Sequence, residues 1–278
     1  PIITGDGHND FSLTGINPNL PVLLTPKDGS KMAVNVDFSP ATEGIHSATM
    51  TVVSDDSDSP LSCPSDNYVI LYGEGIKSKV TAYPIDFGLV ANCQGPMLDT
   101  IIVVNSGAAS LQVISSGEII GADNKYFKLI NPLVPPYTLG SGDSAYYFVQ
   151  LDPSIPFTGQ KSATFHLVTD DNFEPDIYAR ITADIDSVYV TVVPDFISFG
   201  GVPVPKDTSV PVVVTNNGRF IVRIDHVEIN DLLVTANPDI AGTMLAPNGA
   251  SIGFNALVMF REYRDINAEI KVILSEPC

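Results

Sequence analysis

Apolar and polar residues alternate along most of this chain with a period of two, the pattern of strands that bury one face. Val34, Val36 and Phe38 share one phase and Asn35 and Asp37 the other; Ala48, Met50 and Val52 oppose Thr49 and Thr51. Asn-Gly, Ser-Gly, Pro-Asn-Gly and Asp-Asp clusters separate these runs, and such residues supply turns. No segment sustains a helical period. Phe260, Tyr263, Ile266 and Ile270 come nearest and read as a long loop with at most one helical turn. The pattern predicts an all-β chain.

The strand pattern recurs. Ser47-Ala48-Thr49-Met50 to Asp55-Asp56 matches Ser162-Ala163-Thr164-Phe165 to Asp170-Asp171, at an offset of 163 − 48 = 115. Ser39-Pro40 matches Asp152-Pro153, offset 153 − 40 = 113, and Gly5 to Leu13 matches Gly121 to Leu129, offset 121 − 5 = 116. A third copy answers the second. Phe87-Gly88 pairs with Phe199-Gly200 (199 − 87 = 112), Asn105 and Gly107 with Asn216 and Gly218 (216 − 105 = 111), and Leu139 with Leu245. Anchors in one order mark a tandem repeat. About 110 residues with some seven strands fits a two-sheet sandwich of immunoglobulin type. The expected architecture is therefore tandem immunoglobulin-like β-sandwich domains, first and last incomplete: residues 1–75, 76–185 and 186–278. Copy one lacks counterparts to the opening strands of copy two, and copy three a counterpart to Ile177–Ile181. A fragment of a longer array is the expected reason, with strand donation between subunits as the alternative.

These motifs resemble Hydin-type repeats, also called ASH or choice-of-anchor D domains. The matching residues are Phe87-Gly88, Asn105 with Gly107, Phe127 with Leu129, Leu139 with Gly142 and Ser144, Leu151 with Pro153, and Ala163-Thr164 to Asp170-Asp171. Copy three departs where Met259-Phe260 replaces the Asp-Pro. The resemblance implies an immunoglobulin-like fold, used as spacers and protein-binding modules in bacterial surface or secreted proteins and in eukaryotic ciliary and cytoskeletal proteins.

Charge narrows the partners. The chain has 278 residues, 32 acidic against 14 basic, a formal net charge of −18 and no Trp. Nucleic acids and anionic membrane surfaces need Lys and Arg to neutralise phosphate, so both are disfavoured. No run approaches the roughly 18 apolar residues of a spanning helix, so no membrane insertion is expected. Protein partners, including copies of the chain itself in a filament or longer array, remain.

The chemistry-bearing residues are sparse. No Gly-x-Ser-x-Gly, His-Glu-x-x-His, phosphate loop or Cys-x-x-Cys occurs, which leaves no hydrolase, zinc or thioredoxin signature. The four histidines are scattered, His8 in a loop, His46 in a turn and His166 on the outward phase of a strand. An enzyme is not expected. No cofactor is expected either; the strongest cofactor idea is calcium, at Asp55, Asp56 and Asp58 or at Asp6, His8 and Asp10. The three cysteines are an odd number. Cys63 falls in the turn between the last two strands of copy one, Cys93 after the opening strand of copy two, and Cys278 near the copy-three equivalent of the Cys63 turn. In a linear array that turn is placed at the far end of its domain, which separates Cys63 from Cys93. Cys63, Cys93 and Cys278 are thus either ordinary thiols or candidates for a disulfide between chains.

One surface feature stands out. Tyr146 and Phe148 occupy the outward phase of their strand where copy one has Ala33 and Asn35 and copy three has Gly253 and Asn255. Exposed aromatics suit an interface; the alternative is cover from the loop Pro132–Tyr137. Three Asp-Ser/Thr-apolar triplets, at 99–101, 143–145 and 186–188, resemble the O-glycosylation triplet of secreted Bacteroidetes proteins. The functional expectation is a non-catalytic, secreted or surface-exposed structural protein acting as stalk, adhesin or filament subunit. An intracellular cytoskeletal or ciliary scaffold is the alternative.

Overall fold

A computed structural model describes residues 1–25, 29–53, 67–263 and 265–278. The chain begins with β1 (Ile2–Thr4), β2 (Phe11–Asn17), β3 (Ala33–Phe38), β4 (Gly44–Thr51) and β5 (Tyr68–Gly75). The middle stretch forms β6 (Val80–Ala82), β7 (Ile85–Ala91), β8 (Met97–Asn105), β9 (Leu111–Val113) and β10 (Glu118–Ile120), then β11 (Phe127–Ile130), β12 (Tyr137–Leu139), β13 (Ser144–Leu151), β14 (Gly159–Val168) and β15 (Asp176–Asp186). The last stretch forms β16 (Val190–Val193), β17 (Lys206–Asn216), β18 (Val222–Ile229), β19 (Val234–Asn237), β20 (Met244–Leu245), β21 (Ala250–Phe260) and β22 (Ile270–Glu276). Helix among the described residues is confined to two single 3-10 turns, His8–Asp10 and Asn124–Tyr126. The fold is all-β and immunoglobulin-like. Residues 261–263 and 265–269, the nearest helical candidate, carry neither helix nor strand.

The described residues divide into two compact units. One comprises residues 1–80, 104–112 and 138–143, the other 81–103, 113–137 and 144–278. In the first unit, β1, β4 and β5 form one sheet and β2 pairs with β3. Phe11, Ala48 and Met50 are its buried apolar residues within 1–75, and the Phe11 and Phe38 rings lie 4.8 Å apart.

The same unit holds a buried polar hub. Asn105 is fully buried; its Nδ2 donates to the carbonyls of Ala109 (2.8 Å) and Leu139 (3.1 Å), and its Oδ1 accepts from the Gly107 amide (3.0 Å). The Asn-x-Gly spacing is thereby explained. Backbone of residues 77–79 packs where a Gly107 side chain would go, and a buried amide must have all its partners supplied. In the second unit Asn216, equally buried, repeats the hub with Phe220, Leu245 and Gly218.

In the second unit two sheets face each other in the order β10-β14-β15-β7 and β11-β13-β8-β6. The period-two pattern decides which residues lie between them. From β14 these are Ala163, Phe165 and Leu167, from β15 Ile177, Ala179, Ile181, Ala183 and Ile185, and from β13 Ala145, Tyr147, Val149 and Leu151. Burying each large side chain stabilises the fold by about 1.5–3 kcal/mol. β7 joins β15 in parallel, Ile85 opposite Ile181 and Ala91 opposite Asp186. The last stretch forms sheets β16-β17-β21-β19 and β20-β18-β22 around Val212, Val214, Ile224, Ile240 and Phe254.

Candidate functional surface

The alternation that buries Tyr147 and Val149 turns their neighbours outward. Tyr146 is 53% exposed and Phe148 48%. Phe148 stands opposite Ile130 of β11. On β8, the other neighbour of β13, Ile101 and Val103 point inward, so Leu98 and Ile102 share the outer face; both are exposed. One sheet of the middle sandwich therefore carries an apolar, partly aromatic exterior. Tyr137, the first residue of β12, places its hydroxyl 2.7 Å from that of the inward Tyr147. Burial pushes both phenols above their ordinary value, Tyr147 the further, with the Tyr137 hydroxyl adding to its shift.

The opposite sheet has a polar exterior centred on His166, on the outward phase of β14. Glu118 pairs across from it on β10 and Tyr178 on β15. Its Nε2 lies 2.8 Å from Asp176 and its Nδ1 3.1 Å from Glu118, while its ring stacks on Tyr178 with centroids 4.8 Å apart. The hydrogen bond to Asp176 first, and that to Glu118 second, raise the imidazole above its ordinary pKa.

The two 3-10 turns occupy matching positions and carry different pairs. Gly5 and Gly121, with φ of 109° and 112°, open them; both values lie in the region that favours glycine. In the first turn Asp10 accepts from the Ala41 amide (3.2 Å) and from His46 Nδ1 (2.8 Å). His46 belongs to β4 and not to a turn. In the second, Lys161 is buried, donates to the Thr158 carbonyl at 3.1 Å and lies 4.9 Å from the Tyr126 ring centroid. The calcium idea at Asp6, His8 and Asp10 meets a carboxylate with protein partners and a His8 ring bonded to the Gly5 carbonyl. Asp55, Asp56 and Asp58 lie outside the described residues, as does Cys63. Among the described residues no cluster of three or more His, Cys, Asp and Glu is arranged to hold a metal.

Cys93 and Cys278 form a disulfide within one chain, their Cα atoms 5.6 Å apart, inside the range a disulfide requires. This corrects the expectation of ordinary thiols or bonds between chains for these two residues. The reason lies in the poles of the sandwich. β22 ends beside the start of β18, Glu276 opposite Arg223. β18 follows a turn whose Asn217 amide bonds to Tyr189 in the linker. The strand end before Cys278 is thus on the linker side. Cys93 follows Ala91 and Asn92, and the Asn92 amide bonds to the Asp186 carbonyl at the end of β15. Arg219, in the turn after β17, reaches Asp184 at 2.8 Å at the same joint. The repeat frame held the signal, since it fixes which pole each turn occupies.

No family model matches the chain, and no curated protein does. Solved structures with some likeness include the Vibrio cholerae VesB protease, at 17% identity and TM-score 0.29 over 38% of this chain and 31% of that one. A Porphyromonas gingivalis W83 protein of unknown function has 15% identity and TM-score 0.30, over 72% of this chain and 93% of the other. The E. coli chaperone DraB has 10% identity and TM-score 0.28, over 71% and 90%. The chain spans about a third of the length of VesB.

Proposed function

We propose that this chain is a non-catalytic structural and interaction protein, an exported array of immunoglobulin-like sandwiches of the Hydin or choice-of-anchor D type. It spaces or joins protein partners as a stalk, adhesin or filament subunit. The observation that carries the reading is the outer face bearing Tyr146 and Phe148, exposed on a strand whose inward residues Tyr147 and Val149 are buried. The sibling strands place Ala33 and Asn35, or Gly253 and Asn255, at those positions, so the fold itself does not require the aromatics. Large exposed aromatics on a rigid sheet lose little conformational entropy when a partner covers them. The Cys93–Cys278 bond supports an oxidising compartment, because cytosolic thiols are kept reduced. It speaks against the intracellular scaffold. The acidic balance keeps such a surface soluble and away from phosphate polymers.

The test is site-specific photocrosslinking. A benzophenone side chain at Tyr146, in cells that make the protein, gives a discrete protein adduct that Phe148→Ser suppresses. The same probe at Asn35 gives none. Equal background at both positions contradicts the reading.

A further inference from the structure

Every structural protein that carries tension has a covalent load path, and here a disulfide redraws it. The bond joins positions separated by 185 residues. Cys93 sits just past the Asn92–Asp186 contact that closes β7 on β15. Cys278 lies just past β22, whose Glu276 is held opposite Arg223. Tension applied between the two ends of this chain reaches Cys93, crosses to Cys278 and leaves, so residues 94–277 form a closed loop beside the path.

We propose that the Cys93–Cys278 bond is a redox-sensitive mechanical shunt, shielding most of the middle sandwich and the whole of the last from tension. The proposal deepens the structural reading above and rests on it for biological use, but the covalent geometry stands apart from it. The joint beside the bond is built to keep the sulfurs together. Arg219 bridges Asp184 and Asp186 at the end of β15, and the Gln94 amide and side chain both bond back to Ala91 to hold the Cys93 turn. Both cysteines are exposed at the surface, so small reductants reach them. A thiol reductant opens the shunt by exchange. Its thiolate attacks one Sγ, the other Sγ leaves as thiolate, and a second reductant thiol resolves the mixed disulfide. Two cysteine thiols and one reductant disulfide result. Closure is the reverse, with a small-molecule disulfide as oxidant.

Single-molecule force spectroscopy reads the shunt as a length. The full chain, carrying Cys63→Ser to remove the third thiol, is held by protein handles fused at both ends. A phosphine serves as reductant: it breaks the S–S bond, takes oxygen from water to become the phosphine oxide, and leaves two thiols. Oxidised, the chain extends to about 330 Å, the reach of 93 residues at about 3.6 Å each. With phosphine it extends to about 1,000 Å, the reach of all 278. Cys278→Ser gives about 1,000 Å in both buffers, whether or not that variant folds. An oxidised chain that reaches full length, or one that gains nothing from phosphine, overturns the shunt. Photocrosslinking at Tyr146 moves independently, so loss of the shunt and loss of the interaction reading are told apart.

Discussion

Asp10 Oδ2 lies 2.8 Å from His46 Nδ1, both side chains largely buried, at the repeat positions that Tyr126 and Lys161 fill in the middle stretch. One scaffold thus accepts a hydrogen-bonded histidine–carboxylate pair or a cation over an aromatic ring at the same place. In each case a polar group at the end of the 3-10 turn is tied to the strand that packs under it.

That tie predicts a coupling. Asp10→Ala and His46→Ala each destabilise the first unit, and the double variant costs less than the sum by about 1 kcal/mol. A double-mutant cycle in urea checks it. Strict additivity contradicts the pairing.

The hub asparagines predict the largest single losses. Asn105→Ala strands the Ala109 and Leu139 carbonyls and the Gly107 amide that Asn105 now satisfies. Each buried orphan costs about 1–3 kcal/mol. We expect a loss of at least about 3 kcal/mol, and the same for Asn216→Ala in the second unit. Replacing the neighbouring Ser106, an exposed residue, costs under about 0.5 kcal/mol. Denaturant midpoints distinguish these cases.

His166 sets a pH dependence of known sign. Its folded pKa is raised by Asp176 and Glu118, so the charged imidazole contributes stability that is complete below the ordinary value of about 6.5. That contribution is lost as pH rises through the higher folded value. The melting temperature of the wild type should therefore exceed that of His166→Gln most at pH 5.5, with the gap closing above neutrality. A gap that widens with rising pH contradicts the geometry. Proton NMR should also show a midpoint for His166 above that of a model imidazole.

The exposed aromatics predict the opposite of a core residue. Tyr146→Ser with Phe148→Ser leaves thermal stability within about 0.5 kcal/mol per site and removes the photocrosslinked adduct. A large loss of stability would mean that the pair packs against the chain and not against a partner.

Strand positions were legible because period-two burial is local. Val34 through Phe38, Ala48 through Val52 and the β13 alternation could be read residue by residue, and the outward phase of Tyr146, Phe148 and His166 followed from it. The Asn-x-Gly motif was visible as a repeat anchor, but its meaning was not. Its partners at Leu139 and Leu245 come from strands about 30 residues away. The Cys93–Cys278 bond escaped for a similar reason. It depends on which pole of a sandwich the end of β22 and the turn after β7 occupy, and that follows from strand pairing and not from spacing along the chain. His46 read as a turn residue because Gly44 precedes it, whereas Gly44, at φ 107°, is the first residue of β4.

The central claim is that these sandwiches hold protein partners outside the cytoplasm. Immunogold labelling of intact, unpermeabilised cells that make the protein tests it most directly. Gold along the cell surface or on fibres projecting from it is the predicted result. Gold that appears only after permeabilisation, within the cytoplasm or along an axoneme, contradicts the claim.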